Sequence, residues 1–243
     1  MRRIFFATLA SVCGFALQNA SAADLPVKAP VARTPLAYNW TGCYIGGHVG
    51  YGWGRKDWLH TEDHGVPVVP PEPFGQDDPD GAVVGGQLGC NYQTGSFVFG
   101  VEGDGAWSGL KGSHVPFAGD LQESSVEWIA TITGRVGFAW DRTLLYVKGG
   151  GAWAGDKFSE TFNGFLNTAD QTRSGWIVGG GIEYAFAGNW TAKVEYNYLD
   201  FGNEFVRVVG PVDNFGYQID QHIHLVKVGL NYRFGGAPGA TGY

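Results

Sequence analysis

Three features of this sequence predict an all-β fold, an eight-stranded antiparallel up-and-down β-barrel that crosses a membrane. The first is composition. Only 16% of the 243 residues are charged, 15% are aromatic, and there are 40 Gly, whereas a soluble domain usually carries about 25% charged residues. The second is periodicity: from Trp40 onward, runs of about ten residues alternate apolar with polar or Gly, the pattern of a transmembrane strand. The third is rhythm, because tight turns and long connections alternate along the chain. Mean hydropathy is only -0.10, and no apolar run of about 18 residues follows the N-terminus. A helical membrane protein needs such runs. A barrel does not, since each strand is apolar on one face only.

The elements follow in order. Met1-Arg2-Arg3 is a short basic start, Ile4 to Leu17 is apolar and small, and Ala20-Ser21-Ala22 is a small-x-small cleavage box. Residues 1–22 are therefore read as a secretory signal peptide. Cys13 leaves with it, and no lipobox precedes the cut. Removing Arg2 and Arg3 leaves 14 basic against 23 acidic residues, net -9. With a sequence pI near 5.3, nucleic acid is not expected as a partner, because such binding calls for a basic patch. Residues 23–39 carry Pro26, Pro30 and Pro35, which disfavour helix and central strand. They are read as an extended periplasmic leader. The barrel is expected over 40–234 and a short tail over 235–243.

Eight strands are expected at 42–53, 82–92, 97–107, 126–140, 143–154, 174–186, 190–201 and 221–234. Gln93-Thr94-Gly95-Ser96, Asp141-Arg142 and Ala187-Gly188-Asn189 are tight turns. The stretches 54–81, 108–125, 155–173 and 202–220 are expected to be long loops. Short turns on one side and long loops on the other mark an outer-membrane barrel, with the short turns periplasmic. An even strand number then puts both termini in the periplasm.

Successive residues of a strand face opposite ways. Val226, Val228, Leu230, Tyr232 and Phe234 share one face of the last strand, and Lys227, Gly229, Asn231 and Arg233 the other. Trp190, Ala192, Val194, Tyr196 and Tyr198 likewise oppose Thr191, Lys193, Glu195 and Asn197. Across the middle of these segments no charged residue falls on the apolar parity. Arg or Lys near the bilayer middle costs about 2–4 kcal/mol, so the apolar face is assigned to lipid. Trp53, Trp107, Trp128, Trp140, Trp153, Trp176, Trp190 and Phe234 lie on that parity near segment ends, as two interfacial girdles would require. The polar face then lines the interior. It offers Glu102, Asp104, Glu183 and Glu195 against Arg135, Lys148, Lys193, Lys227 and Arg233. An eight-stranded interior is just wide enough for side chains to fill, so a paired ionic network that plugs the lumen is expected. A soluble lipocalin-like binder, also eight-stranded, would need an apolar interior instead.

Other candidate sites are few. Cys43 and Cys90 share the lipid-facing parity near the periplasmic ends of adjacent strands. In an oxidising periplasm they could form a disulfide or stay as two small buried thiols. His222 and His224 share a face, and His60 and His64 lie in the first long connection; solvated rim histidines are the simpler reading than a metal or haem site. That first connection is acidic and holds five Pro from Pro67 to Pro79. It is read as a flexible solvated loop, since Asp77-Asp78-Pro79-Asp80 lacks EF-hand spacing. No catalytic constellation, cofactor site or metal site is expected, and no enzymatic activity.

The motifs are specific. Trp40-Thr41-Gly42-Cys43-Tyr44-Ile45-Gly46-Gly47, Gly134-Arg135-Val136-Gly137-Phe138-Ala139-Trp140-Asp141-Arg142 with Leu145-Tyr146-Val147-Lys148-Gly149-Gly150, and Gly179-Gly180-Gly181-Ile182-Glu183-Tyr184 are the main ones. Val228-Gly229-Leu230-Asn231-Tyr232-Arg233-Phe234 closes the chain's barrel segment. Together they resemble the small α-proteobacterial outer-membrane barrel family, the outer-membrane immunogenic and RopB-like proteins, related in architecture to the OmpA-type transmembrane barrel. Members commonly end at the terminal Phe, whereas here Gly235 to Tyr243 follow; either Phe234 or Tyr243 would serve as the assembly signal. The resemblance implies a structural, surface-exposed envelope protein in the Gram-negative cell outer membrane, with no catalytic residues. Outer-membrane lipids, lipopolysaccharide, the barrel-assembly machinery and a homo-oligomeric partner are the expected contacts. A narrow passive porin-like pore for small solutes is the alternative.

Overall fold

The computed structural model describes residues 38–114, 121–162, 165–209 and 214–234. The expected signal peptide, all of the leader except Tyr38 and Asn39, and the tail lie outside these residues. Among the described residues there are nine strands: β1 Gly42–Asp63, β2 Val66–Asp77, β3 Asp80–Thr94, β4 Phe97–His114, β5 Leu121–Trp140, β6 Thr143–Phe162, β7 Phe165–Ala187, β8 Trp190–Val209 and β9 Asn214–Phe234. All neighbours pair antiparallel, and β1 pairs with β9 to close the ring. The ring has eight positions, because β2 and β3 share one. β3 pairs with Gly42–Trp53 of β1, and β2 with its continuation Lys56–Asp63. The interruption at Asp78-Pro79 is bridged by the Gly54 amide, which donates to the Pro79 carbonyl at 2.8 Å.

The tight turns sit where the sequence places them. Gly95 and Gly188 adopt φ of 59° and 49°, and Asp141 adopts 52°. Two-residue hairpins need this left-handed backbone, which Gly takes freely and Asp tolerates.

The four expected long loops are a correction. Much of 54–81, 108–125, 155–173 and 202–220 is strand. Apolar alternation signals a strand only where one face meets lipid. Beyond the membrane surface that constraint lapses, while ladder hydrogen bonds, which need no particular side chains, continue. The stretch read as a Pro-rich loop contains β2, with Pro67, Pro70, Pro71 and Pro73. It is tolerated because, among the described residues, β2 pairs with β1 alone, and an edge strand can lack donors on its free side. β7 and β8 also stop pairing above Trp176–Asp200. Among the described residues, the upper part of the ring therefore parts into two four-stranded sheets, β8-β9-β1-β2 and β4-β5-β6-β7.

Facing is unambiguous. Arg135, Lys193 and Glu195 are at most 2% exposed, while Val194 and Tyr196 are 49% and 45% exposed. Across the middle of the wall apolar side chains point out and ionised ones point in, the reverse of a lipocalin. On β9, ten residues separate His224 at the upper aromatic level from Phe234 at the lower one. At about 3.4 Å per residue and a tilt of about 40°, they span roughly 26 Å, close to the apolar band of an outer-membrane barrel.

Candidate functional site

The chemistry of this molecule is concentrated in its lumen, which is filled in layers. At the lower end Trp40 is fully buried beside Val98, Leu144 and Ala185. Its backbone amide donates to Gln93 at 2.6 Å. Tyr38 packs edge-on against it, with ring centroids 4.9 Å apart. Arg233 belongs to this layer. It donates to the Thr41 carbonyl at 2.8 Å and lies over the Tyr38 and Trp40 rings. Strand parity assigns a face but not a height, so the sequence grouped Arg233 with charges that sit above it.

The ionic layer follows. Glu102 accepts from Lys148 at 3.0 Å, Lys193 at 3.1 Å and the Tyr44 hydroxyl at 2.7 Å, with Arg135 at 3.8 Å. Glu195 faces Lys148 at 2.7 Å and Lys193 and Lys227 at 3.4 Å, and accepts from Tyr146 and Asn197. Glu183 takes Arg135 at 3.3 Å, Asn231 at 2.8 Å and the Thr191 hydroxyl. Asp104 takes Lys227 at 3.0 Å, with His48 at 3.4 Å. The Arg135 guanidinium is also held between the Tyr44 and Tyr146 rings. Four carboxylates thus meet four Lys and Arg side chains, all at most 8% exposed. An isolated buried charge would cost several kcal/mol, and shared partners offset that cost. Gly is required where these chains cross: a Cβ at Gly181 would sit 2.8 Å from the Tyr146 hydroxyl, and one at Gly100 would strike the Asn91 side chain. The neutral hydrogen-bonding partners Tyr44, Gln87, Asn91, Thr191 and Asn197 received no role from the sequence. Their inward parity was the only signal.

Two further layers were not foreseen. Above the ions lies an apolar plug of Leu110, Val126, Ile129, Ile177, Leu199, Ile223 and Leu225. The inward positions near the upper membrane edge are filled by aliphatic side chains, so the ionic network alone does not fill the lumen. Above the plug, Lys56, Asp156 and Arg173 form a second buried cluster, with Lys56 Nζ at 3.4 Å and Arg173 Nε at 3.1 Å from Asp156. Burial pushes both the Lys56 ammonium and the Arg173 guanidinium down from their ordinary ranges, against the opposing pull of Asp156. All three residues fall in stretches read as loops.

On the outer wall, Trp53, Trp107, Trp128, Trp153 and Trp176 lie on the outward face at the upper level, and Trp107 is opposite Trp128 in register. Trp140, Trp190 and Phe234 lie at the lower level, with Trp190 edge-on to Tyr232. Cys43 and Cys90 are directly opposite in the β1–β3 ladder and are joined by a disulfide. His222 and His224 are both outward on β9, at the upper aromatic level. No group of three or more His, Cys, Asp or Glu suited to a metal ion occurs among the described residues.

Comparison with known proteins gives a consistent result. The family model of the outer membrane protein beta-barrel domain matches residues 7–234. A 31 kDa outer-membrane immunogenic protein of Brucella melitensis is 36% identical over 251 aligned residues, covering 93% of this chain and 98% of that protein. A 22 kDa outer membrane protein of Rhizobium leguminosarum bv. viciae is 30% identical over 247, covering 96% and 100%. Among solved structures, the outer membrane protein OprG from Pseudomonas aeruginosa superposes with a TM-score of 0.51 at 11% identity, covering 84% of this chain and all of that one. At that identity the likeness speaks to the fold.

Proposed function

Because the chain belongs to the outer membrane protein β-barrel family, we propose that it is a structural envelope protein that spans the outer membrane as a sealed cylinder. The observation that carries this reading is the lumen. Paired charges, an apolar plug and the Trp40 layer occupy it in succession, which favours reinforcement and surface display over solute passage. The signal peptide directs export, the short turns and both termini face the periplasm, and the β-extensions stand outside the cell. Relatives named immunogenic support a surface-antigen role for that exposed end. Lipopolysaccharide and phospholipid surround the wall, and the barrel-assembly machinery inserts it. A homo-oligomer can form through the lipid-facing surface. A role without enzymatic chemistry belongs to the same reading, in keeping with relatives named outer-membrane immunogenic proteins.

The test joins two measurements on refolded protein. Unheated samples should migrate differently from boiled ones on a gel, as closed barrels do. In a planar bilayer the same preparation should give no reproducible conductance steps. Discrete unitary steps from heat-modifiable protein would replace this reading with the narrow-pore alternative.

A further inference from the structure

Two imidazoles on the lipid-facing wall take no part in the sealed lumen. His222 and His224 lie on the outward face of β9, half-buried, two residues apart. Their height is set by aromatic neighbours. His224 stacks on Trp53 with centroids 5.6 Å apart and planes 12° from parallel. Tyr198, itself 5.6 Å from Trp176, lies 5.1 Å from His224 and 6.2 Å from His222. Amphipathic rings settle at the headgroup level, so these imidazoles sit where lipid headgroups are. His224 is also oriented. Its Nδ1 is 2.7 Å from the Tyr196 hydroxyl, which fixes the ring and leaves Nε2 for an external ligand.

A permanent cation stands beside them. Arg55 is opposite His222 in the β1–β9 ladder. Its ion pair with Asp78, at 3.6 Å, is exposed on both sides, and such pairs contribute little, so an incoming anion can compete for the guanidinium. Hydroxyl, imidazole and guanidinium groups on one outward ledge are the donor set of a phosphate site. We infer that Arg55, His222 and His224 form a protonation-gated seat for the phosphate of an outer-leaflet lipid headgroup.

The gating follows from the charges that face the pair. β1 contributes Arg55 and Asp57, the β2–β3 junction Asp78, β8 Tyr196, Tyr198 and Asp200, and β9 Asp220. Asp57 already accepts from Gln76, and Asp200 from the Gly202 amide. With neutral imidazoles, one guanidinium among several carboxylates repels phosphate. Protonating both imidazoles takes the ledge from one cation against four carboxylates to three against four, which cuts the repulsion and adds two charged donors for the phosphate. The inference rests on the outward orientation of the extensions proposed above.

The experiment uses the full barrel in nanodiscs of zwitterionic lipid doped with bisphosphorylated lipid A, counting retained lipid A by native mass spectrometry. Affinity should be at least about fivefold higher at pH 5 than at pH 8, as about 1 kcal/mol of ionic contact implies. The H222Q/H224Q double variant, checked for heat-modifiable migration, should lose most of that difference, while R55Q should weaken binding at both pH values. An undiminished pH difference in the double variant, or none in the parent, overturns the site. A nitroxide on the lipid headgroup separates the two readings. Histidine NMR signals that it leaves unbroadened would refute the membrane placement itself. Broadened signals with no lipid A response would refute the phosphate seat alone.

Discussion

Replacing Glu102 by Gln should unbalance the lumen while preserving its shape. The side chain keeps its volume and can still accept from Tyr44, but Lys148 at 3.0 Å and Lys193 at 3.1 Å lose their shared carboxylate, and Arg135 loses a neighbour at 3.8 Å. Three carboxylates would then face four cations, all buried. Breaking one partner out of a buried ionic group costs about 3–5 kcal/mol. With a urea slope of about 2–3 kcal/mol per M, the unfolding midpoint in lipid vesicles should fall by roughly 1–2.5 M. The second variant, Lys193→Met, removes a cation and restores the balance. The pair E102Q/K193M should therefore be more stable than the sum of the single changes, with a coupling of about 1–3 kcal/mol. The assay is heat-modifiable gel migration across a urea series. A loss below about 1 kcal/mol in E102Q, together with zero coupling, would refute the claim that paired charges hold the lumen together.

Val194 is half-exposed on the lipid face, midway along β8 between Trp190 and Tyr198. Val194→Arg should cost about 2–4 kcal/mol in the same urea assay, and a neutral result would contradict the assigned facing. The Cys43–Cys90 bond closes a loop of sequence separation 47. By chain entropy alone its removal in Cys43→Ala/Cys90→Ala should lower stability by about 4 kcal/mol, and thiol titration of the denatured, unreduced mature protein should find no reactive thiol. Burial holds the Lys56 ammonium below its usual value of 10.5. The unfolded chain thus binds that proton more tightly than the folded one, so this group's contribution to stability rises as pH climbs through the window below 10.5. Proteolytic resistance of the outer extension should increase over that range in the parent and stay flatter in Lys56→Met.

How much was legible depended on which solvent each residue meets. Val194 against Lys193, and Val228 against Lys227, are unambiguous because a strand between oil and a narrow lumen must alternate in strict period two. The disulfide was legible only as a possibility, since parity placed both Cys on one surface but gave no register. Lys56, Asp156 and Arg173 were missed because they lie above the membrane, where no oily face marks a strand, and around Lys56 the acidic, Pro-rich sequence also looks like loop. Arg233 was assigned the right face and the wrong layer.

By itself, then, the amino-acid sequence determined the membrane-spanning wall: its strand order, its facing, its aromatic edges and the set of charges turned inward. Each of those follows from local alternation imposed by lipid. Tertiary structure alone decided which carboxylate meets which cation, the apolar plug above them, the Cys43–Cys90 pairing and the two-sheet extension beyond the membrane. These depend on the stagger between strands distant in sequence, and stagger is fixed only when the last strand meets the first and the ring closes.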